Sequence, residues 1–138
     1  MPTPISAGRC CILVHGGAGD TSPDSDDAAA RQGCAVAADA GHAVLLRGGT
    51  ALEAVVAAVQ ALEQDPEFNA GVGSALTRDG TVEMDASVMN GLDGRSGAVG
   101  AVGSVRSAVQ LAREVMQQTP HRLMVGRGAE LFAQKIGL

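Results

Sequence analysis

Tryptophan and tyrosine are absent from these 138 residues, and Phe68 and Phe132 are the only aromatic side chains. The core must therefore be packed from small aliphatic groups, because 46% of the chain is hydrophobic and 19 positions are glycine. Backbones approach closely where side chains are small, which suits tightly layered helices and sheets. Lysine occurs once, at Lys135, and the formal net charge is −5. A nucleic-acid surface, which needs clustered Lys and Arg, is thereby excluded. Cysteine is scarce: Cys10 and Cys11 are adjacent and Cys34 stands alone, with no CxxC pair and no histidine-rich spacing. That pattern excludes a zinc site and a disulfide framework, and it reads as free thiols in a reducing, cytoplasmic location. No apolar stretch is long enough to span a bilayer. Residues 1–9 lack the apolar segment of a signal peptide and are expected to be a flexible N-terminus.

What is present fits one domain with a real core, running from residue 10 to residue 138. Cys10–Val14 is a short apolar run that stops at His15-Gly16-Gly17-Ala18-Gly19, the pattern of a buried strand entering a glycine turn. Asp20–Asp27, which contains Pro23, reads as a loop. Ala30, Cys34, Ala37, Ala38, Gly41 and Leu45 recur at helical spacing until Gly48-Gly49 breaks the pattern. The next helix is announced by Thr50 and Glu53, a capping-box pair in which each side chain can satisfy a free amide. Leu52, Val55, Val56, Val59 and Leu62 follow on its apolar face, and Pro66 predicts its end. Strands are expected over Ser74–Thr77 and Thr81–Met89, joined by a turn at Arg78-Asp79-Gly80, and over Ala98–Val105. Two helices close the chain, one carrying Ala108, Leu111, Ala112 and Val115, the other Ala129, Phe132, Ala133 and Ile136. Strands grouped beside helices point to a layered α/β architecture with antiparallel pairs rather than a Rossmann pattern.

Most motifs carry little chemistry alone. Gly16-Gly17-Ala18-Gly19 could cradle an anion through its amides, but it lacks the Gly-Lys-Ser/Thr ending of a P-loop and the third glycine of a dinucleotide fingerprint. A Gly-x-Ser-x-Gly elbow is also missing, so His15-Gly16-Gly17 is not a lipase oxyanion loop; it reads as a strand-to-loop turn. Thr50 resembles a nucleophile only until its capping role explains it. Glu83 and Asp85 alternate on one strand and could pair as acid and base, although solvated strand carboxylates are commoner. His42 and His121 are isolated. The segment Leu62–Gly73 differs: a glycine-rich loop with a buried-type Phe68 and the amide of Asn69 is built to position something.

Taken in order, several stretches resemble the plant-type L-asparaginase/isoaspartyl peptidase family of N-terminal-nucleophile hydrolases. They are Val14–Gly19, Leu62-Glu63 with Asp65–Gly71, Val82–Gly91, Gly97–Val99, Leu111–Arg113 with Val115-Met116, and Thr119–His121. The likeness covers nearly all of Cys10–Leu138. It implies an αββα sandwich, of which this chain is the N-terminal half. It also implies a precursor that cleaves itself before a threonine into associated α and β chains, residues 10–138 being the α portion. The freed threonine attacks the side-chain amide of asparagine or the β-aspartyl bond of an isoaspartyl dipeptide, with its own amine as base. An acyl-enzyme then forms and is hydrolysed.

Carried over residue by residue, the resemblance makes Asn69 a supporting catalytic residue that orients the threonine. It makes the loop a sodium-binding one, with a structural sodium ion held by the backbone carbonyls of Leu62, Glu63, Asp65, Phe68, Ala70 and Val72; no other cofactor is implied. It makes the His15-Gly16-Gly17 turn a flexible neighbour of the cleavage site. The Gly-Thr-Val-Gly-Ala-Val nucleophile motif is not within these residues, and Ser107-Ala108 stand where Asn-Pro is usual. The implied substrate-binding arginine and aspartate, and the oxyanion-hole threonine and glycine, belong to the β portion. The expected partners are a β chain, or a homo-oligomer of αβ units, and a small asparagine or isoaspartyl peptide substrate, with no nucleic acid and no membrane. The alternative is a truncated, non-catalytic family member acting as a binding or interaction protein. Half a sandwich would expose sheet edges and apolar faces, so the chain alone is expected to aggregate, oligomerise or require a β chain.

Overall fold

The computed structural model describes residues 10–18 and 27–138. The flexible stretch expected over residues 1–9 and most of the loop expected over Asp20–Asp27 lie outside the described residues.

Small residues decide how the first two helices meet. Helix α1 (Ala28–Leu46) buries Gly33, Ala37 and Gly41 on one stripe. At Gly41 a Cβ would collide with the Ile12 side chain and approach the Ala54 carbonyl, so this crossing tolerates no side chain. Gly48, at φ 80°, ends the helix. The amides of Gly48 and Gly49 return to the carbonyls of Leu45 and Val44, each 3.0 Å away, closing a Schellman turn.

Helix α2 (Ala51–Glu63) starts with both arms of the capping box formed. The Thr50 amide donates to Glu53 Oε2 at 2.7 Å, and the Glu53 amide donates to Thr50 Oγ1 at 3.2 Å. Ala54, Val56, Ala58 and Leu62 are buried, whereas Val55 is 41% exposed. The apolar stripe therefore excludes Val55: the small alanines face α1, and Val56 faces the main core.

The sheet is three-stranded, in the order β1-β2-β3. Strand β1 (Met84–Met89) pairs antiparallel with β2 (Ser96–Val102). Helix α3 (Ala108–Gln118) then crosses over to β3 (Leu123–Val125), which runs parallel to β2. Helix α4 (Gly126–Ile136) follows and ends at left-handed Gly137. Helices α3 and α4 cover one sheet face, where Val88, Val99 and Val102 meet Leu111, Ala112, Val115, Ala129 and Ala133. At Gly97 a Cβ would strike the Ala112 carbonyl and Met116, so β2 and α3 touch backbone to backbone. The opposite face presents Asp85, Ser87, Met89, Leu123 and Val125, all exposed.

The result is a mixed α/β fold, with one antiparallel and one parallel strand pair. Three expectations need revision. Ser74–Thr77 contributes a single bridge, Leu76 to Val82, because the chain around it curls into loop hydrogen bonds instead of a ladder. The third strand ends at Val102 rather than Val105, since Gly103 turns toward Glu130. Cys10–Val14 forms no ladder among the described residues: Ile12 and Val14 turn inward while Leu13 is 95% exposed, an extended segment without a strand beside it.

Two measurements test this packing. Gly97→Ala should cost about 1–3 kcal/mol in denaturant unfolding, because the β2–α3 contact must open. Gly128→Ala, in α4 with nothing within 4 Å, should instead stabilise by about 0.5–1 kcal/mol. The Thr50 amide, and then the Thr50 hydroxyl, hold the Glu53 carboxyl below its ordinary value. The folded group thus keeps its charge to lower pH than the unfolded one. The box stabilises above the ordinary glutamate range, and its contribution is lost as pH falls through the lowered folded value. Thermal melts of Glu53→Gln and the parent chain should converge over that acidic window.

Candidate functional site

The loop after α2 is folded on its own carbonyls. The Leu62, Asp65, Phe68 and Ala70 oxygens accept from the amides of Asp65, Phe68, Ala70 and Gly73. A 3₁₀ turn at Gly71–Gly73 completes it. Gly71, at φ 55°, lies so close to the Glu63 carbonyl that a Cβ would overlap it, and a Cβ at Gly73 would overlap the Phe68 carbonyl. Phe68 anchors the loop: its ring is buried against Gly16 and Gly33, neither of which leaves room for a Cβ. The His15-Gly16-Gly17 turn thus packs on the residue next to Asn69. His15 Nδ1 accepts the Gly17 amide at 3.1 Å, which folds the turn on itself.

Asn69 is exposed. Its Oδ1 accepts the Ala75 amide at 2.8 Å, so the side chain is oriented by the far end of its own loop. It lines a polar cleft of about 250 Å³ together with Ser74 and the start of β1, where Glu83 and Asp85 form the other wall. The candidate acid/base pair is therefore brought beside the candidate supporting amide. Asp85 already has a structural partner. Between Met84 and Ala86 the register slips by one residue, placing the extra residue on β2. Ala101 there adopts φ 51°, the one described non-glycine residue in left-handed geometry. Asp85 Oδ1 accepts the Ala101 amide at 2.8 Å and so stabilises this bulge.

In the sequence Glu63 stands out only for its backbone carbonyl, yet its side chain is buried and bonded. That carboxylate is 4% exposed. Oε2 accepts the Ser107 hydroxyl at 2.6 Å and Oε1 accepts the Val109 amide at 3.0 Å. Ser107 caps α3 by accepting the Gln110 amide at 3.2 Å. The signal in the sequence is a glutamate inside an apolar helical stripe with no basic residue within a helical turn of it. His42 and His121 join no cluster: among the described residues no group of three or more His, Cys, Asp or Glu could hold a metal. Nor is any helix there long and apolar enough to cross a membrane.

The sequence profile of the asparaginase family matches residues 8–138. The chain belongs to that family. Among curated members of the asparaginase family, it is 50% identical over 128 residues to the isoaspartyl peptidase/L-asparaginase of Rattus norvegicus, covering 92% of this chain and 38% of that protein. It is 48% identical to the protein of the same description from Homo sapiens, covering 92% of this chain and 41% of the relative. The plant-type L-asparaginase of Thermococcus kodakarensis is 46% identical over 91% of this chain and 41% of its own length. The chain thus spans about two fifths of the length of these asparaginase relatives.

The bulge beside the cleft gives a direct test. Ala101→Gly should stabilise the chain by about 1 kcal/mol, because glycine adopts left-handed geometry without strain. Asp85→Ala should destabilise it by about 1 kcal/mol by leaving the Ala101 amide without its partner. Urea unfolding of both variants reads the two signs.

Proposed function

We propose that this chain is the α portion of an L-asparaginase/β-aspartyl peptidase, completed by a β portion whose N-terminal threonine is the nucleophile. The observation that carries the reading is the identity of 46–50% with isoaspartyl peptidases and plant-type L-asparaginases over nine-tenths of the chain. The open features of the fold support it. Among the described residues one sheet face is uncovered, the Cys10–Val14 segment is extended but unladdered, and exposed Asn69 lines a cleft. Each is what a chain would show before a second layer packed on it. The complete molecule would then be an αββα sandwich of the N-terminal-nucleophile type, formed by autocleavage and working in the cytoplasm.

In this reading Asn69, fixed through its Oδ1, presents its amide N–H to the threonine oxygen and orients it. The threonine's amine takes the hydroxyl proton and the oxygen attacks the amide or β-aspartyl carbonyl. Ammonia or an amino acid leaves, and water releases aspartate. A structural sodium ion would share carbonyls that already accept loop amides: those of Leu62, Asp65, Phe68 and Ala70 each take a loop amide, and a carbonyl oxygen has two lone pairs. The carbonyls of Leu62, Glu63, Asp65, Phe68, Ala70 and Val72 would hold it as hard oxygen donors, stiffening the loop that carries Asn69.

The test is ammonia release from asparagine, and aspartate release from β-aspartyl dipeptides, by the chain alone and with a family β portion added. The chain alone should be inactive and the mixture active. Asn69→Ala should lower kcat of the mixture by about a hundredfold while KM moves little, the signature of a misplaced nucleophile. Activity of the chain alone would overturn the assignment of the nucleophile to a β portion. An inactive mixture would favour a non-catalytic binding protein.

A further inference from the structure

The Glu63 side chain is a buried carboxylate without a cationic partner among the described residues. Its two oxygens are used entirely on the N-terminus of α3, one on the Ser107 hydroxyl and one on the Val109 amide. Gln60 Nε2 adds a contact to the same Ser107 oxygen at 3.4 Å. Val109 is the second residue of α3, so its amide is one of the donors that a helix cannot satisfy internally. Ser107 satisfies the third residue's amide through Gln110, and Glu63 satisfies the second. The partial positive charge of the helix start replaces the missing cation. A buried carboxylate held this way can occupy only one place relative to α3.

The backbone of the same residue holds the loop. Gly71 rests on the Glu63 carbonyl with no space for a Cβ, and the loop from Gln64 to Ser74 ends by fixing Asn69 through Ala75. Helix α3 in turn lies on the sheet, with Gly97 of β2 in backbone contact with Ala112. The cleft has one wall on that loop and the other on β1. Glu63 is the residue that touches both bodies, side chain to α3 and backbone to the loop. We infer that Glu63 is a positioning residue, whose carboxylate sets the distance between Asn69 and the sheet wall of the cleft. This rests on the asparaginase reading insofar as Asn69 orients a nucleophile; the mechanical link itself does not.

Two readouts separate those levels. In the first, amide hydrogen exchange is followed in the chain associated with a β portion. Glu63→Ala should speed exchange at Ala75 and Val109 by about tenfold or more, since both report bonds that depend on the clamp. The amides of Leu111–Val115, deeper in α3, should keep their protection. In the second, kcat for ammonia release should fall by about tenfold or more with KM nearly unchanged, because the substrate-binding arginine and aspartate that the resemblance implies belong to the β portion. Glu63→Gln, which keeps an acceptor for Val109, should recover part of both. Ser107→Ala, which removes one strut and leaves the carboxylate, should fall between; these two variants decide the matter if Glu63→Ala does not fold. Unchanged exchange at Ala75 in all three, or loss of kcat only in proportion to the unfolded fraction, would overturn the inference. If the parent complex releases no ammonia the asparaginase reading fails, while exchange at Ala75 still decides the clamp.

Discussion

A carboxylate taken out of water must find a compensating charge, and among the described residues the one it meets is the start of a helix. Glu63 ends α2, and its oxygens close on the first turn of α3. That single arrangement makes α2 and α3 mutually dependent. Helix α3 lies across β1 and β2, so the sheet inherits its position from the same bond pair. The loop that follows α2 inherits its position from the Glu63 backbone. Removing one partner from such a site is costlier than never having buried the charge, because the other partner stays behind unpaired.

Around that clamp the molecule is assembled by close approach rather than by bulk. With two aromatic residues in the whole chain, large interlocking side chains are not available to fill wide gaps. The helices and sheet come together until backbones nearly touch, as at Gly41 against Ala54 and Gly97 against Ala112. Phe68 is the exception, and its ring occupies the notch where glycine stripes from the N-terminal turn and α1 converge. A fold of this kind tolerates loss of a methyl group poorly and gain of one worse. The glycine content thus records contacts as much as turns.

Much of the helical architecture was legible because its signals are local. The Thr50–Glu53 box, the stop at Gly48-Gly49 and the apolar spacing in α3 and α4 each act within a turn or two. Strand β3 was not legible: Leu123–Val125 is three residues long and owes its identity to a parallel neighbour reached across a helix. Cys10–Val14 shows the opposite case, a strand-like pattern with no pairing partner among the described residues. At the site, the loop announced itself by composition, and its Asn69 lines the cleft and accepts the Ala75 amide. The Asp85 and Glu63 side chains did not, since one serves a register slip on another strand and the other a helix more than 40 residues away. Their roles exist only in three dimensions.

The topology also bears on how the chain reaches this state. Helices α1 and α2 are neighbours in sequence, as are β1 with β2 and the β2-α3-β3 crossover, so each half closes on short loops. The ties between halves are few, and the Glu63–Ser107 bond spans 44 residues. Loop-closure entropy makes such a tie more expensive to form than the local contacts on either side. The Glu63 bonds are thus among the least local ties that set the register between the two halves, together with Gln60 on Ser107 and the packing of Val56 in the main core.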